Sequence, residues 1–254
     1  MISDNYLLDT FATLKKHQKK ALAVLIDPDQ GAEAVLNTAQ LCQLHAVDFI
    51  FVGGSLITDG ILKDTLKIIK QNYFGLVYIF PGNELMIDEQ ADGILLLSLL
   101  SGRNPEFLIG KHVVAAPNLI KSKLDIVPTA YLLIDGGKET SVSYISNTKP
   151  IPADKPDIAL ATALAGQLLG LRCLYMDAGS GARQSISVQM IQKVKSQIKI
   201  PIIIGGGIKT AEKALDIYKA GADVIVIGNG VEDNQSLIAI ISQVKNSISE
   251  SVAI

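Results

Sequence analysis

The residues best suited to chemistry stand in short loops that each follow a run of β-branched residues. Ile200-Pro201-Ile202-Ile203-Ile204 leads into Gly205-Gly206-Gly207-Ile208-Lys209-Thr210, and one unit later Asp223–Ile227 leads into Gly228-Asn229-Gly230. Glycines at such points let backbone N–H groups approach an anion without interference from a Cβ, and a following helix N-terminus adds its dipole. One such turn is weak evidence. Two at consecutive strand ends form a specific pattern and imply a phosphate-bearing ligand. A third loop, Tyr175-Met176-Asp177-Ala178-Gly179-Ser180-Gly181-Ala182, places a carboxylate at the end of its run. There it can accept a hydroxyl proton or bind a polyol, or else merely cap the loop. Asp27, in Leu25-Ile26-Asp27-Pro28-Asp29, and Ser55, in Val52-Gly53-Gly54-Ser55, end two neighbouring runs. Together they make a sparse oxygen ligand set, suited to Mg²⁺ with its waters and unsuited to structural zinc. Read alone, Asp27 before Pro28 is equally a turn-forming Asp-Pro pair.

Such loops need a frame. Apolar runs at Ala21–Asp27, Val47–Val52, Leu76–Phe80, Gly93–Leu97, Ala130–Asp135, Leu171–Asp177, Ile200–Ile204 and Asp223–Ile227 read as strands buried on both faces. Helical spacing recurs between them, at Ala32–Leu44, Ile61–Gln71, Asp157–Leu169, Val188–Lys195, Thr210–Ala220 and Asn234–Ile248. This alternation predicts a (β/α)₈ TIM barrel in one domain over residues 1–254, with an open doubly wound sheet as the alternative. Loops after the seventh and eighth strands are the usual phosphate site of the barrel, which favours it. Only Pro81–Asp92, opening with the turn signal Pro81-Gly82-Asn83, joins the third run to the fourth. A full crossover helix barely fits there, so a short turn or loop replaces it and opens the wall sideways. Gly136–Pro156 is long and polar, and reads equally as a lid at the catalytic face or a solvated insertion.

Composition sets the outer limits. The 254 residues are 48% hydrophobic and 19% charged, which excludes a disordered chain. Lys and Arg number 23 against 25 Asp and Glu, so no basic excess exists to drive nucleic-acid binding. Cys42 and Cys173 stand in no metal or redox spacing and read as buried hydrophobes of a reducing cytoplasm. No secretory signal or membrane-spanning run is legible. His17, His45 and His112 pair with no nucleophile and read as surface or packing residues. The patterns GxSxG, Walker A and GxGxxG are absent.

Taken in order along nearly the whole chain, the loops around Asp27, Gly53-Gly54-Ser55, Phe80-Pro81-Gly82-Asn83, Leu97-Ser98-Leu99-Leu100-Ser101-Gly102-Arg103-Asn104-Pro105, Tyr175–Ala182 and Gly205–Thr210 resemble the geranylgeranylglyceryl phosphate synthase family. The likeness is to the second of its two groups, found in archaea and some bacteria. The resemblance implies a barrel whose third helix is replaced by a loop. It implies alkylation of the primary hydroxyl of sn-glycerol 1-phosphate by a prenyl diphosphate, with Mg²⁺ on Asp27 and Ser55. It maps the acceptor site onto Tyr175, Met176, Asp177, Ala178, Gly179, Ser180 and Gly181, onto Gly206 and Gly207, and onto Gly228 and Asn229. Tyr131 matches a family tyrosine reaching the same pocket, or serves only in packing.

Many relatives carry Glu where this chain has Asp177, which shortens the reach of a general base. Leu25 stands where the other group has lysine, which supports the group assignment. The resemblance also implies a homo-oligomer, with Ile238-Ile240-Ile241 as a face for a partner or for the barrel itself, and only transient membrane contact. Two other classes stay open: a phosphate-binding barrel isomerase or lyase, and a non-catalytic phosphometabolite-binding protein.

Overall fold

The apolar runs become strands because each alternates between two greasy environments. β1 (Ala21–Ile26), β2 (Phe49–Val52), β3 (Leu76–Ile79), β4 (Gly93–Leu99), β5 (Asp125–Leu133), β6 (Cys173–Asp177), β7 (Ile202–Gly205) and β8 (Val224–Ile227) pair in parallel, each with the next. β8 then returns to β1, with Ala21 opposite Val224, and the barrel closes. The computed structural model describes residues 5–54 and 61–250. Along β1, Ala21 and Ala23 face the barrel interior while Leu22, Val24 and Ile26 face the surrounding helices. The other strands follow the same period of two.

The helices are α1 (Tyr6–Lys16), α2 (Ala32–Leu44), α3 (Leu62–Asn72), α4 (Lys111–Leu119), α5 (Ser141–Ser146), α6 (Pro156–Leu168), α7 (Val188–Lys195), α8 (Ala211–Ala220), α9 (Asn229–Asp233) and α10 (Ser236–Glu250). Between β3 and β4 no helix forms, as the spacing predicts. Asn83 and Asp88 each accept from the backbone N–H two residues on, at 2.9 Å, and so divert that segment into local turns. Met86 and Ala91 are buried and pin the loop to the barrel.

One expectation needs correction, and one helix goes unpredicted. β5 begins at Asp125, not Ala130, because Pro128 sits opposite Leu96 while its carbonyl accepts from Arg172 N–H at 2.8 Å. A π turn over Glu106–Gly110 and then α4 occupy the segment after β4, where Pro117 hides the helical pattern. Of the face at Ile238-Ile240-Ile241, Ile238 and Ile241 are fully buried, which is the barrel alternative, while Ile240 is exposed. Cys42 and Cys173 are free and buried as expected, and burial pushes both thiols well above their usual range.

The element the sequence hides most fully is α1, which plugs the floor of the barrel. Leu7 and Phe11 join the interior cluster, and Phe11 meets Phe49 edge-on at 5.5 Å. Asn5 offers α1 no side-chain cap. Instead Asp125, at the start of β5, accepts from Leu7 N–H at 3.0 Å and from Tyr78 Oη at 2.6 Å. A carboxylate from the barrel thus meets the positive end of the helix. Asp125→Ala removes both bonds and leaves buried donors unpaired, so urea unfolding should show a loss of about 2–4 kcal/mol. A loss under about 0.5 kcal/mol, the scatter of ordinary surface changes, would mean α1 is held otherwise.

Candidate active site

The period of two decides what reaches the mouth of the barrel. On β6, Cys173 and Tyr175 face the interior, Leu174 and Met176 face the helices, and Asp177 comes next on the inner face. Tyr131 on β5 lies opposite Tyr175, and Leu133 opposite Asp177. Tyr131 Oη therefore donates to Asp177 Oδ2 at 2.7 Å. The N–H of Gly179 donates to Asp177 Oδ1 at 2.8 Å. Burial pushes the Asp177 carboxyl above its ordinary range, while these two bonds pull it back down. Burial, with the Asp177 charge next, holds the Tyr131 phenol protonated. Each carboxylate oxygen keeps a second acceptor site, so Asp177 can still take a substrate hydroxyl.

Beneath Asp177 the interior is closed by aromatic rings. Tyr131, Tyr175 and Phe80 form a triangle with centroids 5.3 to 5.9 Å apart. Beside it the glycine loops converge. Gly206 has φ +83°, and a Cβ there would stand 2.8 Å from Ala178 N and 2.9 Å from Asp177 Oδ1. No side chain fits between these loops. Ser180 Oγ donates to Asn229 Oδ1 at 2.7 Å and so ties the loop after β6 to the loop after β8. α9 is a single short turn, so anion binding here rests on backbone amides more than on a helix dipole.

Asp27 enters from the end of β1. Its Oδ1 accepts from Asp29 N–H at 3.0 Å, which makes it the turn-forming residue. Its Oδ2 faces Gly54, where a Cβ would stand 2.9 Å away. Burial raises the Asp27 carboxyl, opposed by that backbone bond. Asp27 thus forms the turn and also presents an oxygen at the mouth. No group of three or more His, Cys, Asp and Glu suited to a metal occurs among the described residues. One carboxylate edge at an open polar cavity fits a hard cation that keeps its waters, and fits no soft or closed site. Ser55, its expected companion, lies outside the described residues.

Asp27, Tyr131, Tyr175, Asp177, Gly179, Ser180, Gly181, Gly206, Gly207, Gly228 and Asn229 line one polar cavity of about 1040 Å³, open to solvent. Met176 and Ala178 do not line it. Their side chains are buried between strands and helices, so only their backbone belongs to the loop. Ser141, Val142 and Lys209 line it as well. The first two come from Gly136–Pro156, whose polar composition concealed the short α5 that it lays over the mouth.

A second cavity, of about 840 Å³ and largely apolar, runs from this one through the gap left by the missing helix. The two share Gly54, Phe80, Tyr131 and Val142. The groove turns over the rim onto the outer side of β4, at Ile94 and Leu96. From there it follows one stripe of α4 and the π turn before it: Phe107, Lys111, Ala115 and Leu119. His112 fixes that wall, with Nδ1 3.0 Å from Leu108 O and Nε2 2.9 Å from Leu97 O. This is the packing role its isolation in the sequence implies.

The model of the PcrB family matches residues 15–247. A geranylgeranylglyceryl phosphate synthase from Spirosoma linguale is 51% identical over 235 residues, 92% of this chain and 94% of its own. The chain belongs to the PcrB family. A namesake from Pyrococcus furiosus is 41% identical over 88% of this chain and 89% of its own length. The crystal structure of the Thermoplasma acidophilum (S)-3-O-geranylgeranylglyceryl phosphate synthase, in complex with its substrate sn-glycerol-1-phosphate, superposes with a TM-score of 0.87 at 34% identity. It covers 98% of this chain and all of that one. The superposition thus agrees with the barrel.

The bond from Tyr131 favours the charged form of Asp177. Tyr131→Phe should therefore push the Asp177 carboxyl further up, visible as a higher midpoint when its carbon resonance is titrated by NMR. An unchanged or lower midpoint would show that this bond does not govern the group.

Proposed function

We propose that this chain alkylates the primary hydroxyl of sn-glycerol 1-phosphate with a prenyl diphosphate, releasing diphosphate and forming an ether bond. One observation carries the reading. A polar, amide-lined cavity and a largely apolar groove meet at a single junction of Gly54, Phe80, Tyr131 and Val142. Acceptor and donor differ in the same way, one small and anionic, the other a long hydrocarbon with an anionic head. An isomerase or lyase of small phosphorylated metabolites has no use for the groove, nor has a simple phosphometabolite receptor.

The acceptor phosphate sits on the amides around Gly179 to Gly181, Gly206, Gly207, Gly228 and Asn229, with its glycerol toward Asp177. As the hydroxyl oxygen bonds to the allylic carbon, the carbon–oxygen bond to diphosphate breaks and the hydroxyl proton passes to Asp177. Tyr131 and Gly179 hold that carboxylate in place. Its raised proton affinity suits a base, and its side chain, shorter than the Glu of many relatives, draws the glycerol nearer. The faces of Phe80 and Tyr131 line the junction where positive charge grows on the allylic carbon. Mg²⁺, held by Asp27 with Ser55, supplies positive charge to the departing diphosphate when bound. Among the described residues no helix is long and apolar enough to cross a membrane, so the donor is collected through the groove mouth.

Radiolabelled sn-glycerol 1-phosphate with geranylgeranyl diphosphate and Mg²⁺ should give an organic-extractable product. That product should vanish with a chelator and fall at least about 100-fold in Asp27→Ala, as expected for losing a buried charge contact. No product with any prenyl diphosphate would overturn the reading. Ala115→Phe narrows the groove midway along α4. It should depress use of geranylgeranyl diphosphate relative to geranyl diphosphate by about tenfold or more, the worth of some two methylenes. Equal losses for both donors would mean the chain lies elsewhere.

A further inference from the structure

The loop after β5 brings a cation to the phosphate loops that none of the motifs contains. Gly136 O accepts from the N–H groups of Arg183 and Gln184, at 2.9 and 3.1 Å, and this clamps the start of that loop to the end of the Tyr175–Ala182 loop. A Cβ on Gly179 would stand 2.5 Å from Thr140 Cγ2. A Cβ on Gly181 would stand 2.8 Å from Lys138 Nζ and 3.5 Å from Lys138 Cε. Glycine at 179 thus does more than expose an amide: it lets the second loop lie directly on the first, and at 181 the lysine ammonium lies over the backbone. Thr140 then closes the turn into α5 through a capping box with Ser143, so Lys138 projects from a built segment. Its ammonium has no ion-pair or hydrogen-bond partner among the described residues.

Lys138 is exposed and does not itself line the cavity, but its ammonium stands over Gly181, which does, and the charge balance there says what it is for. Two carboxylates, Asp27 and Asp177, face a space in which a phosphomonoester dianion must also settle. Backbone amides supply direction but no net charge. Lys209 lines the cavity from the loop after β7. A cation on the opposite loop would complete the set.

We propose that Lys138 is a phosphate-binding residue, whose ammonium contacts the phosphomonoester of the acceptor over Gly181. This inference rests on the acceptor reading above and adds to it a side chain from outside the glycine motifs. Charge-assisted bonding to a phosphate oxygen is the interaction, and Arg at the same place preserves it in kind.

Calorimetric titration of sn-glycerol 1-phosphate, and separately of inorganic phosphate, into the wild type, Lys138→Met and Lys138→Arg tests this. Steady-state kinetics on the same proteins complete it. Lys138→Met should raise Kd and KM for the acceptor about 10- to 100-fold, the usual worth of a charged hydrogen bond, while donor KM stays near wild type. Lys138→Arg should recover most of the loss. Unchanged acceptor affinity in Lys138→Met overturns the proposal and leaves the acceptor site standing. Equal rises in acceptor and donor KM overturn it too, by showing a general disturbance of the loop. Lys138-dependent binding of inorganic phosphate without any binding of glycerol phosphate would support Lys138 and defeat the acceptor reading instead. A wild type that binds neither anion overturns both.

Discussion

Closing eight parallel strands into a barrel leaves every side chain two choices, inward or outward, and almost everything about this site follows from that alternation. Inward positions must fill a narrow interior, and here large rings do so: Phe49, Phe51, Tyr78, Phe80, Tyr131 and Tyr175. They leave room for few polar groups, and those below the mouth are bonded internally: Thr129 Oγ1 to Val127 O, and Tyr78 Oη to Asp125. Asp177 is the next inward position after Tyr175, and it is the first that opens to solvent. Tyr131, the neighbour in register, can then offer its hydroxyl to Asp177 without moving from its packing position. One residue thus packs the interior and also bonds the carboxylate at the mouth.

The second constraint is the helix that is missing. A complete ring of helices would seal the outer face of β4, and the apolar residues there would be ordinary core. With a turn-rich loop between β3 and β4, Ile94 and Leu96 instead line a groove that α4 walls on the other side. The groove shares its upper end with the polar cavity, so the absence of one element sets a largely apolar space next to a polar, amide-lined one. The loop after β5 lies across both: Ser141 borders the cavity, Val142 borders both spaces, and Ile145 borders the groove.

Much of this was legible in the sequence, and the failures have physical causes. Strands buried on both faces announce themselves by continuous β-branched runs, and glycines at the ends of β7 and β8 mark where backbone must approach a ligand. The short spacing from Pro81 to Asp92 was enough to exclude a helix. By contrast, α4 was obscured by Pro117, and β5 lost its first half to Pro128, since both residues argue against regular structure until their partners are known. Met176 came into the site with the family resemblance, and its side chain lies on the opposite face of β6, so only its backbone stays beside the loop. Lys138 is exposed, as its polar stretch implies, and only the packing of one loop on another shows that its ammonium lies over Gly181. The greasy face at Ile238 and Ile241 left two partners open, another copy or the barrel, and burial gives it to the barrel.

The central claim is that acceptor and donor occupy two different spaces that touch at one junction. A crystal structure with sn-glycerol 1-phosphate and an unreactive thio-analogue of geranylgeranyl diphosphate tests it most directly. The account predicts the glycerol phosphate on the loops at Gly179–Gly181, Gly206–Gly207 and Gly228–Asn229. It predicts the hydrocarbon along Leu96, Ala115 and Leu119, with the two ligands meeting beside Phe80 and Tyr131. A hydrocarbon bound outside that groove, or a phosphate away from the glycine loops, would contradict it.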